Sequence, residues 1–228
     1  MGKLNAHIIP VMSFRQNCRL LFDDENKKGV LIDPGGDLSH ILEAIDITGV
    51  IVEAIWLTHG HIDHAGASMD AKDALGVEII GPQIGDKILL DQLVETAEQY
   101  DLCDPVRNCV PSRWLKDGDI VICGGHILKV LHSPGHSPGH VIYFSEDERF
   151  AIVGDVLFRG SIGRTDLPYS NHDDLMHSLY DKLLPLGDDV SFLCGHGLGG
   201  YIGEERHTNP FLTRACRTIP IQAEYLNQ

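Results

Sequence analysis

The chain has 228 residues, 43% hydrophobic and 22% charged, ordinary values for a globular domain with one substantial core. With 18 basic against 33 acidic side chains its formal net charge is −15, and no basic stripe is present to neutralise phosphates, so nucleic acid is not an expected partner. No run approaches the roughly eighteen apolar residues of a membrane helix, and no basic-then-apolar leader opens the chain, so a cytoplasmic protein without membrane contact is expected.

Alternating and apolar runs predict strands over 6–11, 19–22 and 29–32, then a helix over 38–46 with Asp37 as its N-cap. A strand over 54–57 leads into Thr58-His59-Gly60-His61-Ile62-Asp63-His64, the most informative stretch of the chain. On a helix, residues two apart lie roughly 200° apart around the axis, so His59 and His61 can share an ion only from a bent loop. Asp63 and His64 sit at adjacent positions and must aim elsewhere, which points to a second ion beside the first. A helix is predicted over 64–75, closed by Gly76, followed by a strand over 78–81. Ile88, Leu89, Leu93 and Ala97 give 87–100 the pattern of an amphipathic helix covering the sheet or the mouth of the site.

Strands over 120–122 and 127–132 precede a turn rich in Gly and Pro, Ser133 to His140, which can hold the His136 imidazole free of regular structure. After a strand over 140–144, the apolar run 150–153 delivers Asp155 at its C-terminal edge, and a helix is expected over 173–182. The run 191–193 similarly delivers His196 between Gly195 and Gly197. The six cysteines (Cys18, Cys103, Cys109, Cys123, Cys194 and Cys216) show no metal or scaffold spacing and are expected to be free and mostly buried, with a Cys103–Cys109 pair as the lesser alternative. Cys194 is expected to pack under the site. Periodicity alone supports an α/β fold, and the unbroken chain reads as one domain over 1–228.

Taken in order, the HxHxDH segment, the PGHSPGH turn, the Gly-Asp after a strand and the Gly-His-Gly resemble the metallo-β-lactamase superfamily, and within it the glyoxalase II-like hydrolases of the short, single-domain branch. The resemblance runs from Gln16-Asn17-Cys18 to Asn209-Pro210-Phe211 and implies a four-layer αββα sandwich of two mixed sheets. It implies two divalent metal ions, zinc in the first instance with iron or manganese as alternatives. His59, His61 and His136 would hold one, Asp63, His64 and His196 the other, and Asp155 would bridge them. His140 would be a hydrogen-bonding residue outside the ligand set.

Two divalent ions side by side activate a water at neutral pH and polarise a carbonyl, with Asp63 as the catalytic group expected to orient that water. A thiolate leaves with little protonation, so hydrolysis of small acyl thioesters demands least of such a site, with S-lactoylglutathione, a glutathione conjugate, as the test substrate. Arg164, in Phe158 to Asp166, matches the family's basic residue for a glutathione carboxylate, although an Arg164–Asp166 ion pair is the competing reading. Asp166 and Leu198 stand where relatives carry tyrosines, and with 32 residues after His196 the helical extension that completes the glutathione site is expected to be absent or truncated. The alternatives are a mononuclear iron persulfide dioxygenase using only His59, His136 and Asp155, and a non-catalytic metal-binding scaffold. The sequence carries no signal of oligomeric state.

Overall fold

The computed structural model describes residues 2–102 and 104–213. Its first sheet has the spatial order β1 (Leu4–Val11), β2 (Gln16–Asp23), β3 (Lys28–Ile32), β4 (Ile51–Trp56), β5 (Glu78–Gln83), β6 (Arg113–Leu115). Antiparallel pairing joins β1 to β2 and β2 to β3, and parallel pairing joins β3 to β4, β4 to β5 and β5 to β6. The second sheet is also mixed. It contains β7 (Ile120–Cys123), β8 (His126–His132), β9 (Val141–Ser145) and β10 (Phe150–Gly154), and then β13 (Ser191–Cys194) parallel to β10 and β14 (Gly200–Tyr201) at the edge. A small hairpin, β11 (Leu157–Phe158) with β12 (Ser161–Ile162), follows β10.

Strand alternation sorts the apolar side chains into three layers, because successive residues point to opposite faces. In the first sheet, Leu20, Leu31 and Ile55 face helices α1 (Leu38–Thr48), α3 (Ser68–Leu75) and α5 (Leu93–Gln99). Their neighbours Leu21, Val30, Ile32, Ala54 and Trp56 face the second sheet, meeting Val130, Tyr143 and Ile152. On the far side, Ala151 and Val153 pack under Leu175 of α6 (His172–His177) and Leu179 and Leu183 of a π-helical continuation, Ser178–Leu183. Helix, sheet, sheet and helix therefore stack as the expected αββα sandwich. Burial on both faces explains why these strands read as nearly continuous apolar runs.

Two predicted helices are broken, each for a local reason. The segment predicted as helical over 64–75 is α2 (Ile62–Ala65) and then α3, because Ala67 N–H leaves the helical ladder and donates to the Pro34 carbonyl (3.0 Å). The segment predicted over 87–100 is α4 (Lys87–Leu90) and α5, because Cys109 N–H takes the Leu90 carbonyl and the Asn108 side chain takes Val94 N–H. Asp37 does not cap α1 with its side chain: it adopts a left-handed φ of 50°, and its carboxylate accepts from Met12 N–H instead. Strands β6, β11, β12 and β14 and helix α7 (Ile202–Thr208) are additions to the predicted set. Cys18, Cys109, Cys123 and Cys194 are buried free thiols, while Cys103 and Cys216 lie outside the described residues. Among the described residues no helix is long and apolar enough to cross a membrane.

Candidate metal centre

The parallel strands of both sheets end at one edge of the sandwich, and their C-terminal ends deliver the site. Asp33 follows β3, Thr58 and His59 follow β4, Asp155 follows β10 and His196 follows β13. His136 comes from the turn between β8 and β9. Backbone bonds close this edge: Val141 N–H donates to Thr58 O (2.8 Å), Gln83 N–H to Gly139 O (2.9 Å) and Asn17 N–H to Gly195 O (2.7 Å).

Three groups of side chains result, each with ligand atoms within 4.8 Å of one another: His59, His61 and His136; His59, His64 and Asp155; and Asp63, His64 and His196. His59 and His61 lie on the loop, as expected. Asp63 and His64 lie on the one-turn helix α2, with His61 at its N-cap position, so helical structure begins two residues before the predicted start at His64. Asp155 belongs to the second group and also lies against members of the other two. Its Oδ1 is 3.4 Å from His64 Nε2, and its Oδ2 is 3.6 Å from His136 Nε2 and 3.5 Å from His196 Nε2. Gly195 permits this convergence, because a Cβ there would sit 2.0 Å from Asp155 Oδ1.

The imidazoles are oriented by what their other nitrogen touches. His136 Nδ1 must donate to the Arg164 carbonyl (2.9 Å) and His196 Nδ1 to the Phe14 carbonyl (3.3 Å), because a carbonyl only accepts. Both Nε2 atoms then face inward. Asp33 braces His64 and His59: its Oδ2 accepts from His64 Nδ1 (3.0 Å) and from Thr58 Oγ1 (2.7 Å), and that hydroxyl lies 3.0 Å from His59 Nδ1, while His61 Nδ1 lies 3.0 Å from His136 Nε2. Among the buried side-chain atoms without hydrogen-bond partners are three of the candidate ligand atoms, His59 Nε2, His64 Nε2 and Asp155 Oδ1. Buried polar atoms are rarely left orphaned, and these three point into one space lined by nitrogen and carboxylate oxygen, the donor set that divalent transition metals take. The donor set fits a metal centre.

Charge divides the cluster. Burial and the neighbouring imidazoles hold His59 far below the usual histidine range, and burial with His136 holds His61 down at about 3. Burial also lowers His136, although Asp155 opposes it. These imidazoles stay neutral, the form that binds metal. Burial opposes charge on His64 and His196 too, but Asp155 and Asp63 outweigh it, raising His64 strongly and His196 to about 9. Burial likewise opposes ionisation of Asp155 and Asp63, yet His64 and His196 keep both carboxyls below the usual range.

His140 is buried, stacks on His59 at 4.8 Å and accepts at Nε2 from Asp155 N–H (3.1 Å), so it positions the carboxylate and stands outside the ligand groups. Cys194 packs beneath, its thiol donating to the His196 carbonyl (3.1 Å). Arg164 lies on the wall of the adjoining cavity, and its Nε and Nη2 each donate to Asp166 at 2.8 Å. That cavity, about 1060 Å³, opens over His61, Asp63, Asp155 and His196, with Leu89 and Leu93 on one wall and Phe158 and Leu198 on the other.

Two organising residues escaped sequence reasoning. Asp33 ends the apolar run Val30-Leu31-Ile32 much as Asp155 ends Ala151-Ile152-Val153, so the same signal was available for it. Asp86 had no such signal: it sits in a polar stretch. Wholly buried, it accepts from Gly60 N–H (2.7 Å), Ser137 Oγ (2.8 Å) and Gly139 N–H, tying together the two loops that carry His59, His61 and His136.

Comparison with known proteins places these features in context. The sequence profile of the metallo-beta-lactamase superfamily matches residues 14–196. Hydroxyacylglutathione hydrolase GloC of Haemophilus influenzae is 42% identical over 210 residues, covering 92% of this chain and 98% of that protein. Among solved structures, the BLEG-1 B3 metallo-beta-lactamase superposes with a TM-score of 0.84 at 33% identity, over 92% of this chain and all of the other. A di-iron-bound form of TTHA1623 superposes at 0.81 with 36% identity, over 90% of this chain and all of the other.

Proposed function

Because this chain belongs to the metallo-beta-lactamase superfamily, we propose that it is a binuclear metal-dependent hydrolase of small acyl thioesters, with S-lactoylglutathione as the substrate to test first. The observation that carries this reading is the convergence of inward-facing imidazole nitrogens from both halves of the fold on the two oxygens of Asp155. His59, His61 and His136 would hold one ion, Asp63, His64 and His196 the other, and Asp155 would bridge them. When bound, two such ions supply an activated water and polarise the scissile carbonyl. The name of the Haemophilus relative supports a hydroxyacyl thioester of glutathione, and the di-iron form of TTHA1623 supports iron beside zinc as the metal.

The remaining work falls to side chains of this chain. Asp63 has a partly exposed carboxylate 3.1 Å from His196 Nε2 at the floor of the cavity, where it can orient the attacking water. Asp33, Asp86 and His140 hold the ligands in place. A departing thiolate needs little protonation, so no separate general acid is required. Arg164, already fixed by Asp166, would form part of the wall on which the thiol carrier rests.

Metal content and turnover should be measured together on the natively purified protein, against glutathione, coenzyme A and lactone substrates. Near two ions of zinc, iron or manganese per chain are expected, with thioesters preferred. Asp155→Ala should lose metal and nearly all activity. One iron with oxygen uptake, or full metal and turnover in Asp155→Ala, would overturn the binuclear assignment.

A further inference from the structure

The cavity beside the metal centre presents two arginines, and they differ in what they have left to offer. Arg164 spends Nε and Nη2 on a bidentate pair with Asp166, the geometry in which a guanidinium is satisfied by a carboxylate. Arg159 lines the same cavity, and among the described residues no carboxylate engages it, including the acidic side chains that share the lining, Asp63, Glu95 and Asp155.

The mount of Arg159 is firm. It occupies the two-residue turn Arg159–Gly160 of the β11–β12 hairpin, in which Leu157 pairs with Ile162 and Phe158 with Ser161. Two buried side chains, Glu205 of α7 and Asn209 just after it, clamp that hairpin. Glu205 Oε2 accepts from Gly160 N–H (2.8 Å) and from Asn209 Nδ2 (2.8 Å), and Asn209 Nδ2 reaches the carbonyls of Ser161 (3.0 Å) and Phe158 (3.4 Å). Burying a carboxylate to fix a surface turn is costly unless its bonds are well made, and a fixed turn lowers the entropy lost when its tip binds a ligand. The Phe158 ring, next to Arg159, lies 6.2 Å from the His196 ring, so the hairpin abuts the candidate ligands directly.

We propose that Arg159 is the carboxylate-binding group of this cavity and selects thiol carriers bearing a carboxylate, such as glutathione, over neutral thioesters. The proposal rests on the thioester reading above only for the identity of the carrier. A guanidinium that no carboxylate engages among the described residues can form a two-point contact with a ligand carboxylate, whereas Arg164 would first have to give up Asp166.

Binding separates this proposal from catalysis. The metal-loaded protein is titrated by calorimetry with S-methylglutathione, which cannot be hydrolysed at sulfur, and with its diamide, in which both carboxylates are neutral. Arg159→Ala should weaken S-methylglutathione binding by about 10-fold or more, the scale of a lost charge-assisted contact, and leave the diamide within about twofold. Arg159→Lys should recover part of the loss, since the charge returns without the fork. Arg164→Ala should shift both probes by the same factor. The proposal is overturned if wild type does not bind S-methylglutathione, if Arg159→Ala moves both probes equally or neither, or if Arg164→Ala shows the charge selectivity instead. A wild type that binds through Arg159 but hydrolyses none of the glutathione, coenzyme A and lactone substrates overturns the hydrolase reading and leaves the clamp standing.

Discussion

Asp86 carries opposite demands from packing and from the site. Burial pushes its carboxyl from the ordinary 3.8 up to about 6, against the pull of its three hydrogen bonds. A folded-state pKa above the unfolded one stabilises below the unfolded value, and that contribution is lost as pH rises through about 6. Ionised Asp86 therefore costs the metal-free protein about 3 kcal/mol at neutral pH relative to pH below 4. Asparagine cannot ionise. The stability of Asp86→Asn relative to wild type should thus improve by about that amount between pH 4 and 7, followed by urea denaturation after chelation. Metal affinity should move the other way, falling roughly 10–100-fold, because the amide NH2 that replaces one carboxylate oxygen cannot accept, so either Gly139 N–H or the pair Gly60 N–H and Ser137 Oγ loses its acceptor. Unchanged affinity in a competition titration would remove Asp86 from the bracing of His59, His61 and His136.

Among the elements, the turn between β8 and β9 shows how closely the second sheet and α6 must meet to place His136. Gly135 has φ 133°, a conformation nearly restricted to glycine, and a Cβ there would stand 2.2 Å from the Leu175 backbone nitrogen. Ser178 Oγ also donates to the Pro134 carbonyl (2.7 Å), and Asn171 N–H to Gly135 O (2.7 Å), so helix and turn are bonded as one unit. Gly135→Ala should cost roughly 2–5 kcal/mol from backbone strain and overpacking together. Loss of metal from the first ligand group should accompany it. A melting temperature equal to wild type would mean that the turn can shift away from α6 without consequence.

At the scale of the molecule, the site depends on two sheets keeping one register against each other. Tyr143, wholly buried on β9, donates its hydroxyl to the Leu57 carbonyl (2.7 Å), the residue that leads from β4 into the ligand loop, and its ring lies 4.9 Å from Trp56. Tyr143→Phe keeps the packing and deletes only this tie. It should cost about 1–2 kcal/mol in denaturant unfolding, the scale of one buried hydrogen bond. A larger loss would show that the sheets separate locally when the tie is absent.

The residues that meet at the centre were legible in the sequence because each ends an apolar run or sits in a glycine-rich turn: His59 and His61 after β4, His136 in its turn, Asp155 after β10 and His196 after β13. Periodicity likewise located nearly all the long strands, since burial on both faces forces continuous apolar runs. Tertiary structure alone decided the rest. Helix breaks after Gly66 and after Leu90 come from backbone bonds with Pro34 and Cys109, which are remote in the chain and leave no local mark. The diversion of the Asp37 carboxylate to Met12 and the brace at Asp86 are also long-range bonds. Which arginine of the cavity is held by a carboxylate among the described residues is another such outcome: sequence placed Arg164 and Asp166 two residues apart, but only the folded loop could close the pair, and only the clamp from α7 could fix Arg159 at the cavity. Apolar pattern is a property of neighbours along the chain, whereas polar partners are chosen by the fold that brings distant segments together.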